Sequence, residues 1–354
     1  MYAFVFRRIM DFDQIMPVAV AMAEAGHIVR IGIMGGELDI VNDSRLDLFP
    51  KKFRIWSLRA PFVGVKCATF LRGAKGLVMD WAQREHHCAG MLTDIARRQG
   101  IPSFALPHGI DHVVDRSYYT ARLDARMFSH FDHIVAPNRI RKDILTAAGL
   151  APERIHVLGA ARFTSAWVDR LGRVFPPRKD DGSGRLKAVF FEQKIPERFD
   201  ATLTTLQALA ALDCVDLVIQ PKPIQQGREG DLRDRFPSQI STSHASSLCS
   251  WADVIIGTSS TVIFEALVRG KHLIWARYLD THDLSYRTHG GAWIVDGDED
   301  HAALLRRLHE NRAELPVDCT TFCSKILWAG MQETEILTGY RRLLETAVPM
   351  SLAA

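Results

Sequence analysis

The sequence predicts an α/β protein built from two Rossmann-like domains that face each other across a cleft. Its 354 residues suit two domains better than one. Short apolar runs alternate with longer amphipathic ones, which is typical of buried parallel strands joined by helices. The alternation stops at a segment rich in Pro, Gly and charge, residues 175–185, and then starts again. We therefore expect a linker there, between two separate sheets.

Each predicted element follows from this pattern. In the first half, strands are expected at residues 3–6, 28–34, 76–80, 103–106, 133–135 and 155–158. In the second half, they are expected at residues 187–191, 216–220, 254–257, 272–275 and 293–295. Helical patterns cover residues 15–25, 88–99, 301–310 and 324–347. The predicted domains are 1–175 and 186–330, with a helix in 331–354 that packs back on the first domain. Ligands of such sheets bind beyond the carboxyl ends of the strands, so the residues that follow strands are the candidates for function.

Composition excludes several classes of protein. Hydrophobic residues make up 47% and charged residues 24%, which argues against a disordered or fibrous chain. The net charge of +3 gives no general argument for nucleic-acid binding. No apolar run reaches about 18 residues and no signal peptide is expected, so we predict a cytoplasmic protein. The six scattered cysteines are expected to be reduced thiols, and no spacing indicates a metal site.

The segment 252–270, ADVIIGTSSTVIFEALVRG, carries most of the functional signal. A buried strand runs into four consecutive hydroxyl residues, where a helix is expected to begin. Hydroxyl caps, free N–H groups and the helix dipole together favour a phosphate or diphosphate. A carboxylate one helical turn later suits ribose hydroxyls. The alternative is ordinary helix capping beside a surface glutamate. The candidate donor-binding residues are Ser259, Ser260, Thr261 and Glu265.

This segment resembles the donor-binding segment of GT-B glycosyltransferases of bacterial surface polysaccharide synthesis. Similar segments occur in CDP-glycerol glycerophosphotransferases, bacterial sialyltransferases and capsule Kdo transferases, where the hydroxyl cluster binds the donor phosphate. Upstream, LVIQPKP at 217–223 resembles a Lys-Pro-His-Pro-like motif of these families, with Lys222 in place of the phosphate-binding His. Lysine supplies a point charge for phosphate but is a poor proton donor. The resemblance thus implies that Lys222 binds the donor.

A third match lies in the first half of the chain. The sequence IPSFALPHGI at 101–110 ends a predicted strand in His-Gly, which resembles the general-base motif of the glycerophosphotransferases. The resemblance implies that His108 deprotonates an acceptor hydroxyl. A structural role for this histidine is the alternative.

Two other strand ends carry weaker candidates. The loop expected after the first strand offers Asp11 and Asp13 as alternative bases, and Arg7 and Arg8 as contacts for an anionic acceptor. An ordinary polar loop is the other interpretation. After the first strand of the second half, Gln193 and Lys194 are candidates for donor contacts. No GxGxxG follows the first strand, which argues against a nicotinamide dehydrogenase.

Residues 51–75 contain seven basic residues, no acidic residue and interleaved aromatic side chains. This composition suits an anionic membrane surface or an anionic or lipid-linked glycan. A solvated basic face is the alternative, and no nucleic-acid motif is present. Peripheral contact with the inner membrane face is therefore one expectation.

Taken together, the motifs predict a metal-independent transferase without a cofactor. It would move a sugar or polyol phosphate from a nucleotide-activated donor to a hydroxyl of a surface glycan. Two alternatives stay open. The first is a non-hydrolysing nucleotide-sugar 2-epimerase, and the second is a non-catalytic nucleotide- or glycan-binding protein.

Overall fold

The structure is a computed structural model that divides the chain into two compact units. It describes residues 1–7, 9–34, 42–50, 53–59, 61–81, 88–107, 109–115, 128–180, 182–193, 195–222, 228–312, 314 and 317–350. Unit 1 comprises Met1–Asp111, Arg116–Trp167 and Ser324–Ala354, and unit 2 comprises His112–Asp115 and Val168–Cys323. No helix within these described ranges is long and apolar enough to cross a membrane.

Unit 1 is organised around a parallel sheet. Its strands are β1 (Tyr2–Phe6), β2 (Val29–Ile33), β3 (Arg54–Ser57), β4 (Leu77–Asp80), β5 (Ser103–Leu106), β6 (His133–Ala136) and β7 (Ile155–Val157). The strand order is β3-β2-β1-β4-β5-β6-β7, and each neighbouring pair is parallel. Because the order reverses between β1 and β4, the crevice for a ligand is expected where these two strands end.

Unit 2 contains a smaller parallel sheet. Its strands are β8 (Leu186–Phe191), β9 (Val215–Gln220), β10 (Val254–Gly257), β11 (His272–Ala276) and β12 (Trp293–Val295). The order β12-β11-β10-β8-β9 reverses between β8 and β10. All residues of β10 are buried, as expected for a central strand covered on both faces.

Helices connect the strands in both units. They are α1 (Ile9–Glu24), α2 (Val63–Leu71), α3 (Ala89–Arg98), α4 (Arg139–Ala147), α5 (Ser165–Val174), α6 (Phe199–Ala210), α7 (Arg228–Arg235), α8 (Ala245–Trp251), α9 (Phe264–Val268), α10 (Tyr286–His289), α11 (Asp298–Glu310), α12 (Thr320–Phe322) and α13 (Ile336–Thr346). Parallel strands require such crossover connections.

The predicted α/β class with two parallel sheets is confirmed, and two details are wrong. The strand β3 was not predicted; it is an edge strand whose four residues are all at least partly exposed. The continuous helix expected at 324–347 is interrupted, because Ala329 and Gly330 have φ values of 58° and 81°. Such positive values cannot continue a right-handed helix.

The segments on both sides of this break contact the rest of unit 1 through specific hydrogen bonds. Trp328 donates its indole N–H to the carbonyl of Phe163 at 2.9 Å. The hydroxyl of Tyr340 donates to the carbonyl of Gly159 at 2.8 Å. Gly159 has φ +75°, and a Cβ there would lie 3.1 Å from Cα of Trp328. A glycine is therefore needed both for this backbone conformation and for the close approach of the C-terminal segment.

Candidate functional site

Three strand ends meet at the carboxyl edge of the unit 2 sheet, where the strand order reverses. The backbone N–H of Lys222, after β9, donates to Glu192 Oε2 at 3.1 Å, and Glu192 is buried. Lys222 Nζ donates to Gln193 Oε1 at 3.0 Å. The structure thus brings Lys222 and Gln193 together, and the half-buried ammonium group lies at the position where an open α/β sheet binds its ligand.

The hydroxyl run follows the neighbouring strand β10. The N–H of Ser260 donates to the carbonyl of Thr258 at 2.8 Å, which folds the chain into a tight turn. A Cβ on Gly257 would lie 2.9 Å from Ile263 Cγ2, so a glycine is needed for the chain to fold back against the strand end. The buried Oγ1 of Thr258 has no hydrogen-bond partner among the described residues.

The predicted helix start is partly wrong at this turn. A 3-10 turn, Thr261–Ile263, comes first, and α9 begins only at Phe264. The side chain of Ser260 makes no capping hydrogen bond. Ser259, Ser260 and Thr261 are all half-buried. The hydroxyl of Ser260 is therefore not used for capping, contrary to the alternative interpretation.

Glu265 is engaged within the protein. Its side chain is 2% exposed. Oε1 of Glu265 accepts hydrogen bonds from Nε of Arg269 at 2.9 Å and from Nη2 of Arg269 at 2.7 Å. Oε2 of Glu265 accepts a hydrogen bond from the hydroxyl of Ser246 at 2.9 Å. These contacts tie α9 to α8, and a role for Glu265 in binding ribose stays a prediction.

Unit 1 carries a buried ion pair at its own reversal of strand order. Arg7 follows β1, and its guanidinium hydrogen-bonds both oxygens of Asp80, at the end of β4. Asp11 accepts the N–H of Arg7 at 2.7 Å. Burial by itself lowers the pKa of Arg7, but the hydrogen bonds and charge of Asp80, together with Asp11, outweigh it and raise the pKa.

The other acidic candidate of unit 1 is also ion-paired. Asp13 and Asp11 were predicted in a loop, but α1 begins at Ile9 and places both in its first turns. Arg45 hydrogen-bonds Asp13, and Arg162 lies 3.4 Å from the second oxygen. Both carboxylate oxygens of Asp13 are therefore engaged by arginines within unit 1.

Sequence reasoning missed a second buried pair in unit 1. Arg141 hydrogen-bonds both oxygens of Asp111, three residues after the predicted His108. Burial raises the pKa of Asp111 more than Arg141 lowers it. Asn138 is fully buried, caps α4 and donates to the carbonyl of Asp111 at 2.9 Å. Its position directly after a strand and before a helical pattern was the available signal.

Several predicted residues cannot be placed by these contacts. Arg8, His108 and Lys194 lie outside the described residues, as do Lys51 and Lys52 of the basic segment. Of the remaining candidates, Gln193, Lys222 and the hydroxyl run lie on one edge of unit 2. Arg7 and Asp11 lie together on one edge of unit 1.

Known structures share this architecture. The chain superimposes on UDP-GlcNAc 2-epimerase from Neisseria meningitidis bound to UDP-GlcNAc, with a TM-score of 0.63 over 98% of each chain and 13% identity. The chain has the GT-B fold. The fold expected from the sequence resemblance is therefore confirmed.

Two further solved structures also superimpose on the chain. HepE from Anabaena in complex with UDP and glucose matches with a TM-score of 0.63 and 10% identity, over 98% of this chain and 99% of that one. The wall teichoic acid polymerase TagF matches with a TM-score of 0.58 and 12% identity, over 97% and 89%. No family profile and no curated protein sequence matches. At these identities the comparisons establish the fold alone.

Proposed function

We propose that this protein is an enzyme that binds a nucleotide-activated sugar through unit 2. The observation that carries the proposal is the cluster at the carboxyl edge of β8, β9 and β10. There, Lys222 and Gln193 are hydrogen-bonded to each other, and the hydroxyl run forms the tight turn that follows β10. A lysine charge together with hydroxyl and amide groups suits a phosphate or diphosphate.

The buried hydroxyl of Thr258 supports the same proposal. Buried polar atoms in folded proteins nearly always have a hydrogen-bond partner, so an unsatisfied one needs an explanation. A phosphate or ribose oxygen bound at this turn would supply that partner. Structures with the same fold contain UDP-GlcNAc or UDP and glucose, which agrees with a nucleotide-sugar ligand.

We further propose that the reaction is transfer of the sugar, or of a polyol phosphate, to a hydroxyl of a surface glycan. As the nucleotide leaves, charge develops on its phosphate, and a preorganised cation and hydroxyl groups would stabilise that charge without a metal. Lys222 and Ser259–Thr261 are assigned this role, with Gln193 and Lys194 contacting the donor. His108 is assigned the role of base for the acceptor hydroxyl.

A 2-epimerase is the second candidate, because structures of such enzymes superimpose on nearly the whole chain. Epimerisation without an acceptor requires acid and base groups at the sugar itself. In unit 1, Asp11, Asp13, Asp80 and Asp111, the aspartates described at or near the carboxyl edge, all lie within ion-pair distance of an arginine. Contacts with arginine engage these carboxylates and leave them less available for acid–base chemistry at a sugar, which favours transfer.

Product analysis distinguishes the candidates. The protein is incubated with a panel of UDP-, CDP- and CMP-activated sugars, with and without glycan acceptors, and the products are separated by anion-exchange chromatography and mass spectrometry. Release of nucleotide that depends on acceptor supports transfer. A sugar epimer formed from donor alone would instead establish epimerisation. Binding of nucleotide sugars without turnover of any member of the panel would indicate a non-catalytic binding protein.

The proposed base is tested by His108→Ala. Loss of a general base lowers turnover by about 10²- to 10⁴-fold. Affinity for the donor should stay close to that of the wild type, because the proposed donor residues belong to unit 2. Turnover near the wild-type value would remove His108 from the mechanism.

A further inference from the structure

A short segment from the first half of the chain is built into unit 2. Residues His112–Asp115 belong to unit 2, whereas the residues on either side of them belong to unit 1. The backbone N–H of Val114 donates to the carbonyl of Asp283 at 2.9 Å, and the N–H of Ser285 donates to the carbonyl of His112 at 2.9 Å. These two hydrogen bonds flank an antiparallel bridge. The backbone thus fixes His112 against the loop that follows β11.

The ring of His112 belongs to a buried aromatic cluster. Its side chain is 3% exposed. It makes edge-to-face contacts with Phe264, Tyr286 and Phe322, at 4.9, 5.5 and 6.0 Å between ring centroids. The ring of Phe322 in turn contacts Phe264 at 5.5 Å and stacks on Tyr286 at 4.9 Å. Because aromatic pairs in this geometry attract each other beyond the area that they bury, the ring of His112 helps to hold the ring of Phe264 in place.

Phe264 connects this aromatic cluster to the hydroxyl run. It is fully buried and is the first residue of α9. Its backbone N–H donates to the carbonyls of Thr261 and Val262, which closes the 3-10 turn after Ser260. Because the ring and this N–H belong to the same residue, a shift of the ring also shifts the turn that carries Thr261. Ser260 makes no side-chain cap at this turn, so the packing of Phe264 contributes more to its position.

We propose that His112 is a positioning residue of the donor site. Its ring holds Phe264, and through Phe264 it keeps the hydroxyl groups of Ser259–Thr261 in the geometry that binds a phosphate. Groups that are already ordered in the free protein bind more tightly, because less conformational freedom is lost on binding. The inference rests on the proposed function, since it assigns the hydroxyl run to a nucleotide phosphate. Along the chain, His112 lies four residues after the proposed base His108.

Nucleotide titration and hydrogen exchange of the full chain test this role together. UDP, CDP and CMP are titrated by calorimetry into the wild type, into His112→Ala, which lacks the ring, and into His112→Phe, which keeps one. The matched control is Leu305→Ala, because Leu305 is fully buried in an apolar cluster of unit 2 that does not include His112 or Phe264. Phe264→Leu is a second test variant that keeps the site apolar but removes the ring. Thermal melting verifies that each variant folds.

His112→Ala should bind nucleotide about 3- to 10-fold more weakly than the wild type, which is the effect expected from the loss of an aromatic contact. Phe264→Leu should weaken binding in the same direction. His112→Phe should bind within about twofold of the wild type, because the edge-to-face contacts are kept. Leu305→Ala should lower the melting temperature but bind like the wild type, because its cavity lies outside the aromatic cluster. Backbone amides of residues 258–264 should exchange faster in His112→Ala than in Leu305→Ala.

Two results would overturn the proposal. The first is wild-type nucleotide affinity in both His112→Ala and Phe264→Leu, and the second is an equal loss of affinity in the Leu305→Ala control. If the wild type binds no nucleotide, the proposed function fails, and exchange then decides this inference separately. Faster exchange at residues 258–264 in His112→Ala alone would keep the positioning role, and unchanged exchange would remove it. If His112→Ala does not fold, Phe264→Leu takes its place in both measurements.

Discussion

The buried pair of Arg7 and Asp80 gives a quantitative prediction for unit 1. Asp80→Leu leaves the guanidinium of Arg7, which is 6% exposed, without its bidentate partner. Breaking a buried pair in this way costs about 3–5 kcal/mol of the free energy of unfolding. Asp11 remains 4.0 Å from Arg7 Nε and compensates in part, so we expect the lower end, about 3 kcal/mol.

Replacing both partners should cost less than replacing one. In Arg7→Met with Asp80→Leu neither member of the pair is left without the other, and Asp11 keeps its hydrogen bond from the backbone N–H of residue 7, so the double variant should lose less stability than Asp80→Leu alone. Urea denaturation monitored by circular dichroism gives the free energies, and thermal melting should show a loss of about 6–12 °C for Asp80→Leu alone. If the double variant loses as much stability as the sum of the two single variants, the two side chains do not act as a pair.

Three further predictions concern stability and binding. Burial lowers the pKa of His112 to about 3, so the stability this histidine contributes is complete above its unfolded pKa of about 6.5 and is lost as the pH falls toward 3. Urea denaturation at a series of pH values across that window gives the free energy of unfolding as a function of pH. His112→Phe should reduce the slope of this dependence by up to about 1.4 kcal/mol per pH unit, and an unchanged slope would contradict the lowered pKa of His112. Gly159→Ala should lower the free energy of unfolding by about 1 kcal/mol more than Gly149→Ala, because both glycines have positive φ but only at Gly159 would the added Cβ meet neighbouring atoms. Equal losses of stability in the two variants would contradict this steric explanation. Replacing Ser259 and Ser260 by Ala should weaken nucleotide binding in calorimetry without changing the melting temperature, and unchanged affinity would contradict their role.

The sequence predicts most of the strands because their burial is nearly complete. Runs such as Val254–Gly257 are continuous apolar segments between turn residues, and their limits agree with the structure. The edge strand β3 has no such signal, since Arg54 and Ser57 at its ends are exposed and its aromatic residue is only partly buried. The break after the π-helical turn Cys323–Leu327 was missed for a related reason. The helix breaks because Ala329 adopts the left-handed backbone conformation, which the residue type does not reveal.

The candidate site was predictable by position but not by partner. Placing candidates after strands found Arg7, Lys222 and the hydroxyl run, because parallel strands bring their carboxyl ends to one edge. The i, i+4 spacing of Glu265 and Arg269 was a local signal for their pair. The sequence could not reveal that Asp80 pairs with Arg7 across 73 positions, or that Ser246 holds Glu265. Such pairings depend on the order of strands and helices in the fold, which no local pattern encodes.

The central claim is that the carboxyl edge of unit 2 binds a nucleotide phosphate, and calorimetric titration of UDP, CDP and CMP tests it most directly. The wild type is compared with Lys222→Ala and with Arg306→Ala, which removes an exposed positive charge from α11 in the same unit. A hydrogen bond to a charged group contributes about 1.5–3 kcal/mol, so Lys222→Ala should weaken binding of at least one nucleotide by roughly 10- to 150-fold. Arg306→Ala should bind it with wild-type affinity. Absence of binding by the wild type, or equal affinities for all three proteins, would contradict the claim.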